Sequence, residues 1–165
     1  MRSSSPCLPA RLLLPALVAL VLAGPARAAD TPTPAANAAT SKLAPARALI
    51  QEGRWQDAIA ALQQVNEPAS ADWNNLMGYT HRKARQPDLA AAERYYNEAL
   101  RLDPRHRGAL EYSGELYLML GDLARAEARL QALDKACFFG CEEYSDLKSA
   151  VARYKANGNR TLSKP

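Results

Sequence analysis

The sequence predicts an all-α solenoid of about three stacked helical hairpins, closed by a C-terminal covering helix. Three observations predict it. Ala58, Ala92 and Ala126 stand 34 residues apart in the 165-residue chain, each with a Gly or Pro five residues before it and a bulky residue four after. Gly53/Pro87/Gly121, Trp55/Leu89/Leu123, Leu62/Tyr96/Leu130 and Val65/Ala99/Leu133 recur in the same register. Beyond them Tyr144, Leu147, Val151 and Tyr154 form one apolar stripe at helical spacing. A period of this size marks units that are single helix pairs, each unable to bury its apolar face alone and therefore stacked on its neighbours. The recurring alanine lets a neighbouring helix approach closely, and the large residue one turn later fills the space beside it.

The elements begin before the repeats. Arg2 and Arg11 are followed by an uncharged apolar run from Leu12 to Ala23, and Ala26-Arg27-Ala28 offers small residues at the two positions a signal peptidase reads. The run is short for a permanent span, so residues 1–28 read as a secretory signal peptide, with a retained anchor as the alternative. Cleavage removes three arginines and no acid, so the formal charge falls from +4 to +1 and the basicity of the whole chain is largely a targeting feature. The rest argues neither for nucleic acid nor for an anionic membrane surface, and no stable membrane insertion is expected after cleavage. Cys7 lies ahead of the apolar run, not after it where a lipoprotein cysteine belongs, and leaves with the signal. Residues 29–40 are Ala, Thr and Pro with almost no large apolar side chain, which predicts a flexible leader.

A helical domain is expected over residues 41–155. Its helices are placed at about Lys42–Glu52, Trp55–Val65, Ala71–Ala84, Asp88–Leu102, Arg107–Leu120, Leu123–Ala136 and Glu142–Lys155. Gly53, Gly121 and Gly140 mark turns, and Pro68, Pro87 and Pro104 forbid continuation of the helices before them. Gly78 and Gly114, the first-helix glycines, are 36 residues apart, so about two extra residues belong in the turn near Ala84 to Pro87. The last helix turns Asp146, Lys148, Ser149 and Arg153 away from its stripe and is placed to cover the open face of the last repeat. Its Glu142 and Glu143 at the start, with Arg153 and Lys155 near the end, suit the helix dipole. Residues 156–165 carry no apolar period and read as a fraying tail; Asn159-Arg160-Thr161 within it fits a glycosylation acceptor, but a plain polar tail is the preferred reading.

Two segments carry a family resemblance: Ala92-x-x-x-Tyr96-x-x-Ala99 ending at Asp103-Pro104, and Gly114-Glu115-Leu116-Tyr117 followed by Gly121-Asp122-Leu123 and Ala126. The chain resembles the tetratricopeptide repeat (TPR) family from Ala39 to about Cys137. The resemblance implies a non-catalytic scaffold with a concave surface built mainly from the first helix of each pair, where a peptide or helix of a protein partner binds. By the family's register that surface carries Arg47 from the first unit, Asp72, Asn75, Tyr79, Arg82 and Lys83 from the middle, and Glu111, Tyr112 and Glu115 from the last. The family's clamp for a C-terminal carboxylate uses lysine and asparagine at set inner positions, and here it is incomplete. Side chains on such a surface serve recognition more than the core, so Tyr79→Ala with Arg82→Ala is expected to abolish capture with little effect on melting.

Cys137 and Cys141, in Cys-Phe-Phe-Gly-Cys-Glu-Glu-Tyr, remain after export. Oxidising conditions and a glycine turn favour a disulfide. The segment is also similar to one that follows the last repeat in some exported bacterial TPR proteins. The alternative is a thiol-dependent role, redox or soft-metal carriage. Three intervening residues, a helix-end position and the adjacent Glu142 and Glu143 oppose a reactive thiolate, and only His81 and His106 are available as imidazole ligands. His106 falls level with Gly140 one repeat earlier, which keeps a soft-metal site open, whereas His81 reads as solvated or groove-lining. No Gly-x-Ser-x-Gly, phosphate-cradling loop, His-Glu-x-x-His or haem-attachment pattern is present, so neither an enzyme nor a cofactor is expected. The expected whole is a periplasmic interaction module, and the Ala/Arg/Leu-rich usage points to a bacterium.

Overall fold

A computed structural model describes residues 34–160. The expected signal peptide with Cys7, the first part of the leader and residues 161–165, including Thr161 of the acceptor pattern, lie outside the described residues. Seven helices follow in order: α1 Pro34–Gln51, α2 Trp55–Val65, α3 Ala71–Lys83, α4 Leu89–Leu102, α5 Arg107–Met119, α6 Leu123–Ala136 and α7 Glu142–Ala156. There is no strand among the described residues.

Three helix starts are capped by the residue types that favour the position. Ser70, Asp88 and Asp122 accept hydrogen bonds from the backbone N–H groups of Trp73, Ala91 and Arg125. Turn lengths follow the glycine spacing: residues 84–88 separate α3 from α4, whereas 52–54 and 120–122 separate α1 from α2 and α5 from α6. The two added residues fall in the turn where Pro87 replaces the glycine. Gly53 and Gly121 sit at φ 70° and 78°, a backbone region glycine enters without steric cost.

One boundary departs from the sequence reading. α1 starts at Pro34, inside the segment 29–40 read as a flexible leader, and runs through Pro45. The missing apolar period argued for a leader, but proline suits the first turn of a helix, and the alanine-rich run behind Pro34 has the highest intrinsic helix propensity. Packing begins later in the helix, with Leu43 and Ala46 fully buried.

The helices stack as three antiparallel pairs, α1–α2, α3–α4 and α5–α6, with α7 against α5 and α6. Ala58, Ala92 and Ala126 are all completely buried, as the 34-residue register requires. The core runs along the stack in three patches: Leu43, Leu62, Trp73 and Met77; then Ala92, Tyr96, Ala99 and Leu116; then Leu133, Leu147, Val151 and Tyr154. Gly78 exists for close approach, since a Cβ there would lie 2.7 Å from the Tyr96 ring. At Gly114 the same space is filled by Leu147 of α7, which is how the covering helix seals the last pair. Ala92→Leu or Ala126→Leu is therefore expected to overpack the stack and lower stability by about 1–3 kcal/mol. Thermal melting of both variants checks it, and unchanged curves would refute the register.

Candidate functional site

The backbones of the first helices of successive pairs approach one another closely, α1 with α3, α3 with α5 and α5 with α7, whereas α4 and α6 meet through long side chains, Arg125 with Glu93 and Arg129 with Asn97. The stack therefore curves with first helices inside, and residues at matched positions on α1, α3 and α5 share the inner face. Two groups of side chains form there.

Arg82 is the centre of the first. Its guanidinium lies 5.5 Å from the Tyr79 ring centroid and 5.6 Å from that of Tyr112, and its Nη2 is 2.8 Å from Oε2 of Glu115. Tyr79 and Tyr112 pack at 4.7 Å between centroids, and Trp55 of α2 meets Tyr79 edge-on at 6.1 Å. Spacing explains the arrangement: Tyr79 and Arg82 lie three apart on α3, Tyr112 and Glu115 three apart on α5, so each pair shares a helix face. Beneath them the Tyr96 phenol, completely buried, faces Arg82 without meeting hydrogen-bond geometry. Its hydroxyl and Nε of Arg82 have no partner among the described residues. Burial raises the pKa of the Tyr96 phenol and pushes that of Tyr112 up to about 12, so both stay neutral donors at ordinary pH.

The second group strings three helices together. Nη2 of Arg47 donates to Oδ2 of Asp72 at 3.2 Å, and Oδ1 of Asp72 lies 2.9 Å from Nε2 of His106. His106 also caps α5, its Nδ1 accepting from the Ala109 N–H at 3.1 Å. With Nδ1 an acceptor, the neutral ring carries its proton on Nε2 and donates it to Asp72. The bond from His106, with the Arg47 charge, holds the Asp72 carboxyl below its ordinary range against the opposing effect of burial. His106 is thus an inner-face residue, turned to Asp72 and not toward the cysteines, which corrects the geometry of the soft-metal alternative. The signal for this pairing lay in the repeat itself, since Asp72 and His106 are 34 residues apart.

Of the residues placed on the inner face by the resemblance, Tyr79, Arg82, Tyr112 and Glu115 meet around Arg82, with Glu111 beside them; Arg47 and Asp72 meet around His106. Asn75 sits against Gly108 at the start of α5. Lys83 is exposed and joins neither group. Burial is the main correction: Asn75, Arg82 and Glu111 retain only 7–8% of their exposure. Arg82 is consequently part of the packing, and Tyr79→Ala with Arg82→Ala is not expected to leave melting unchanged. His81 turns to α4 and stacks on Tyr95 at 5.4 Å; burial lowers its pKa.

Cys137 and Cys141 are joined as a disulfide, Cα to Cα 5.7 Å, between α6 and α7. Among the described residues no group of three or more His, Cys, Asp or Glu side chains converges to hold a metal ion. Sequence reasoning gave this loop a structural role and passed over its contents. Phe138 and Phe139, the chain's two phenylalanines, are 86% and 101% exposed at its tip. The signal was available, because an apolar pair inside a five-residue ring has no core to enter. Closing so short a ring restricts the unfolded chain by about 2 kcal/mol. Cys137→Ser with Cys141→Ser is therefore expected to lower stability by that amount, checked by denaturant titration; no loss would show that the bond does not pin α7.

Residues 84–153 match the tetratricopeptide repeat family, from the end of α3 well into α7. No curated protein and no solved structure matches the chain. The matched stretch and the seven helices together make an all-α, TPR-like solenoid. Repeats of this family generally mediate protein–protein interaction and are typically non-catalytic.

Proposed function

We propose that the protein is a non-catalytic interaction module of the bacterial periplasm, exported by residues 1–28, whose concave face binds a peptide or helix of a protein partner. The observation that carries this reading is the aromatic and charged cluster of Tyr79, Arg82, Tyr112 and Glu115. Its buried polar atoms on Arg82 and Tyr96 lack partners, and aromatic side chains beside arginine are the residues most often dominant in recognition. Tyr79 is half-buried and Lys83 exposed, so they are the groove residues to change without dismantling the Arg82 pair. Tyr79→Ala with Lys83→Glu is expected to abolish selection of peptides from a random displayed library while the far-UV spectrum stays that of the wild type. Peptides selected equally well by the variant would place recognition elsewhere, with the Phe138–Phe139 tip next to be changed.

Export rests on the N-terminal pattern alone, and mass spectrometry of the mature protein tests it; an intact start would favour a membrane-anchored form. No observation favours the thiol-dependent reading over a structural bond.

A further inference from the structure

We propose that the disulfide-closed ring of residues 137–141 and the cleft beside it form a two-fold contact between two copies of this chain, Phe139 of each copy seated in the cleft of the other. The surface belongs to α6, the ring and α7, and includes none of the inner-face residues, so it does not depend on what the concave face binds. Phe138 and Phe139, 6.4 Å apart between ring centroids, stand almost wholly in water at the tip of the ring. The bond between Cys137 and Cys141 holds them there in advance, so association has little further chain to order.

Beside the pair lies an open cleft of about 480 Å³, lined by Asp134 and Lys135 of α6, by Cys137, Phe138 and Gly140 of the ring, and by Tyr144 of α7. It continues along α6 to Leu130 and Gln131. A cavity of about 150 Å³ already admits benzene, so a phenyl ring has room here. The ring finds apolar walls in Leu130 and Tyr144, both half-buried.

Three features select a second copy as the occupant. A projecting aromatic and a cleft that takes one stand side by side on a single surface, and one two-fold rotation fills both clefts at once. A different partner would need only one of the two. The rim is also self-complementary in charge. Asp134 and Lys135 are neighbours, both exposed and, among the described residues, in no ion pair. The rotation sets Asp134 of one copy against Lys135 of the other, twice. An anionic lipid surface would call for an excess of cations, but Asp134, Glu142 and Glu143 around the ring outnumber Lys135 and Arg105, whose Nη2 lies 3.4 Å from the Ala136 carbonyl oxygen. Area is the third feature. Two phenylalanines from each copy, at about 150–250 Å² apiece, supply half or more of the roughly 1,200 Å² at which stable interfaces begin, and the cleft walls add to it.

The test is sedimentation velocity of the purified chain over a micromolar concentration series, with Phe138→Ser/Phe139→Ser, Asp134→Lys and Lys135→Asp beside it. The wild type is expected to move from monomer to dimer as concentration rises. The phenylalanine variant, altered only at exposed positions, should remain monomeric with unchanged far-UV spectrum and melting. Each charge reversal puts like charges across the contact and should weaken dimerisation at least about tenfold. An equimolar mixture of Asp134→Lys with Lys135→Asp should restore it, because the reversed charges then face each other. A wild type that stays monomeric throughout, a dimer that survives Phe138→Ser/Phe139→Ser, or reversals that the mixture does not rescue would overturn the proposal. Phenylalanine-dependent flotation of a monomeric chain with phosphatidylglycerol vesicles would overturn it in favour of a lipid surface.

Discussion

Arg82→Ala is expected to lower the unfolding free energy by about 2–4 kcal/mol, toward the low end of the range for a broken buried pair because Glu115 keeps a third of its side chain in water. The loss has two sources. Glu115 is left beside Glu111 without its counter-charge, and the space beside the packed Tyr79 and Tyr112 rings empties. Restoring the volume while removing both charges should undo it, so Arg82→Met with Glu115→Leu is expected to melt near the wild type. Chemical denaturation of the single and double variants checks both statements. A single variant as stable as the wild type would mean that the guanidinium is solvated and the groove open.

Tyr96→Ala is expected to cost about 3–5 kcal/mol, the range for deleting a fully buried aromatic ring. The ring fills the space that Gly78 leaves on α3, so its loss opens a cavity between the two helices of the middle pair. Tyr96→Phe should behave in the opposite way. The hydroxyl is buried without a hydrogen-bond partner, so its removal is neutral or stabilising. A Tyr96→Phe variant that is clearly less stable would show that the hydroxyl does bond to Arg82, and the electrostatics of the groove would have to be redrawn around that bond.

The contrast between these variants depends on burial that the sequence did not display. Reading the inner positions from the repeat register put Arg82, Asn75 and Glu111 on the correct helix faces. It treated them as recognition side chains outside the core, because polar residues are mostly exposed. They are buried because neighbouring elements pack against them, with Tyr79, Tyr112 and Tyr96 around Arg82 and Gly108 of α5 against Asn75. Such a depth is a property of the neighbouring helix, and no residue's own spacing reports it. The same holds for His106, whose role as cap and as donor to Asp72 needs two hairpins in contact, although the 34-residue interval between the two had marked the place.

The sequence by itself determined the helices from α2 onward, the order of all seven and the stacking register. These follow from local chemistry: a fixed apolar period, glycines and prolines at the turns, capping side chains at helix starts, and alanines where helices must touch. Even the longer turn in the middle hairpin was readable as two residues added to the period. Only the tertiary structure decided which polar groups are buried, which pair with each other and which are left wanting a partner. Those properties depend on distances between residues one repeat apart, set by how closely two helices approach, and approach is fixed by the packing of side chains from both.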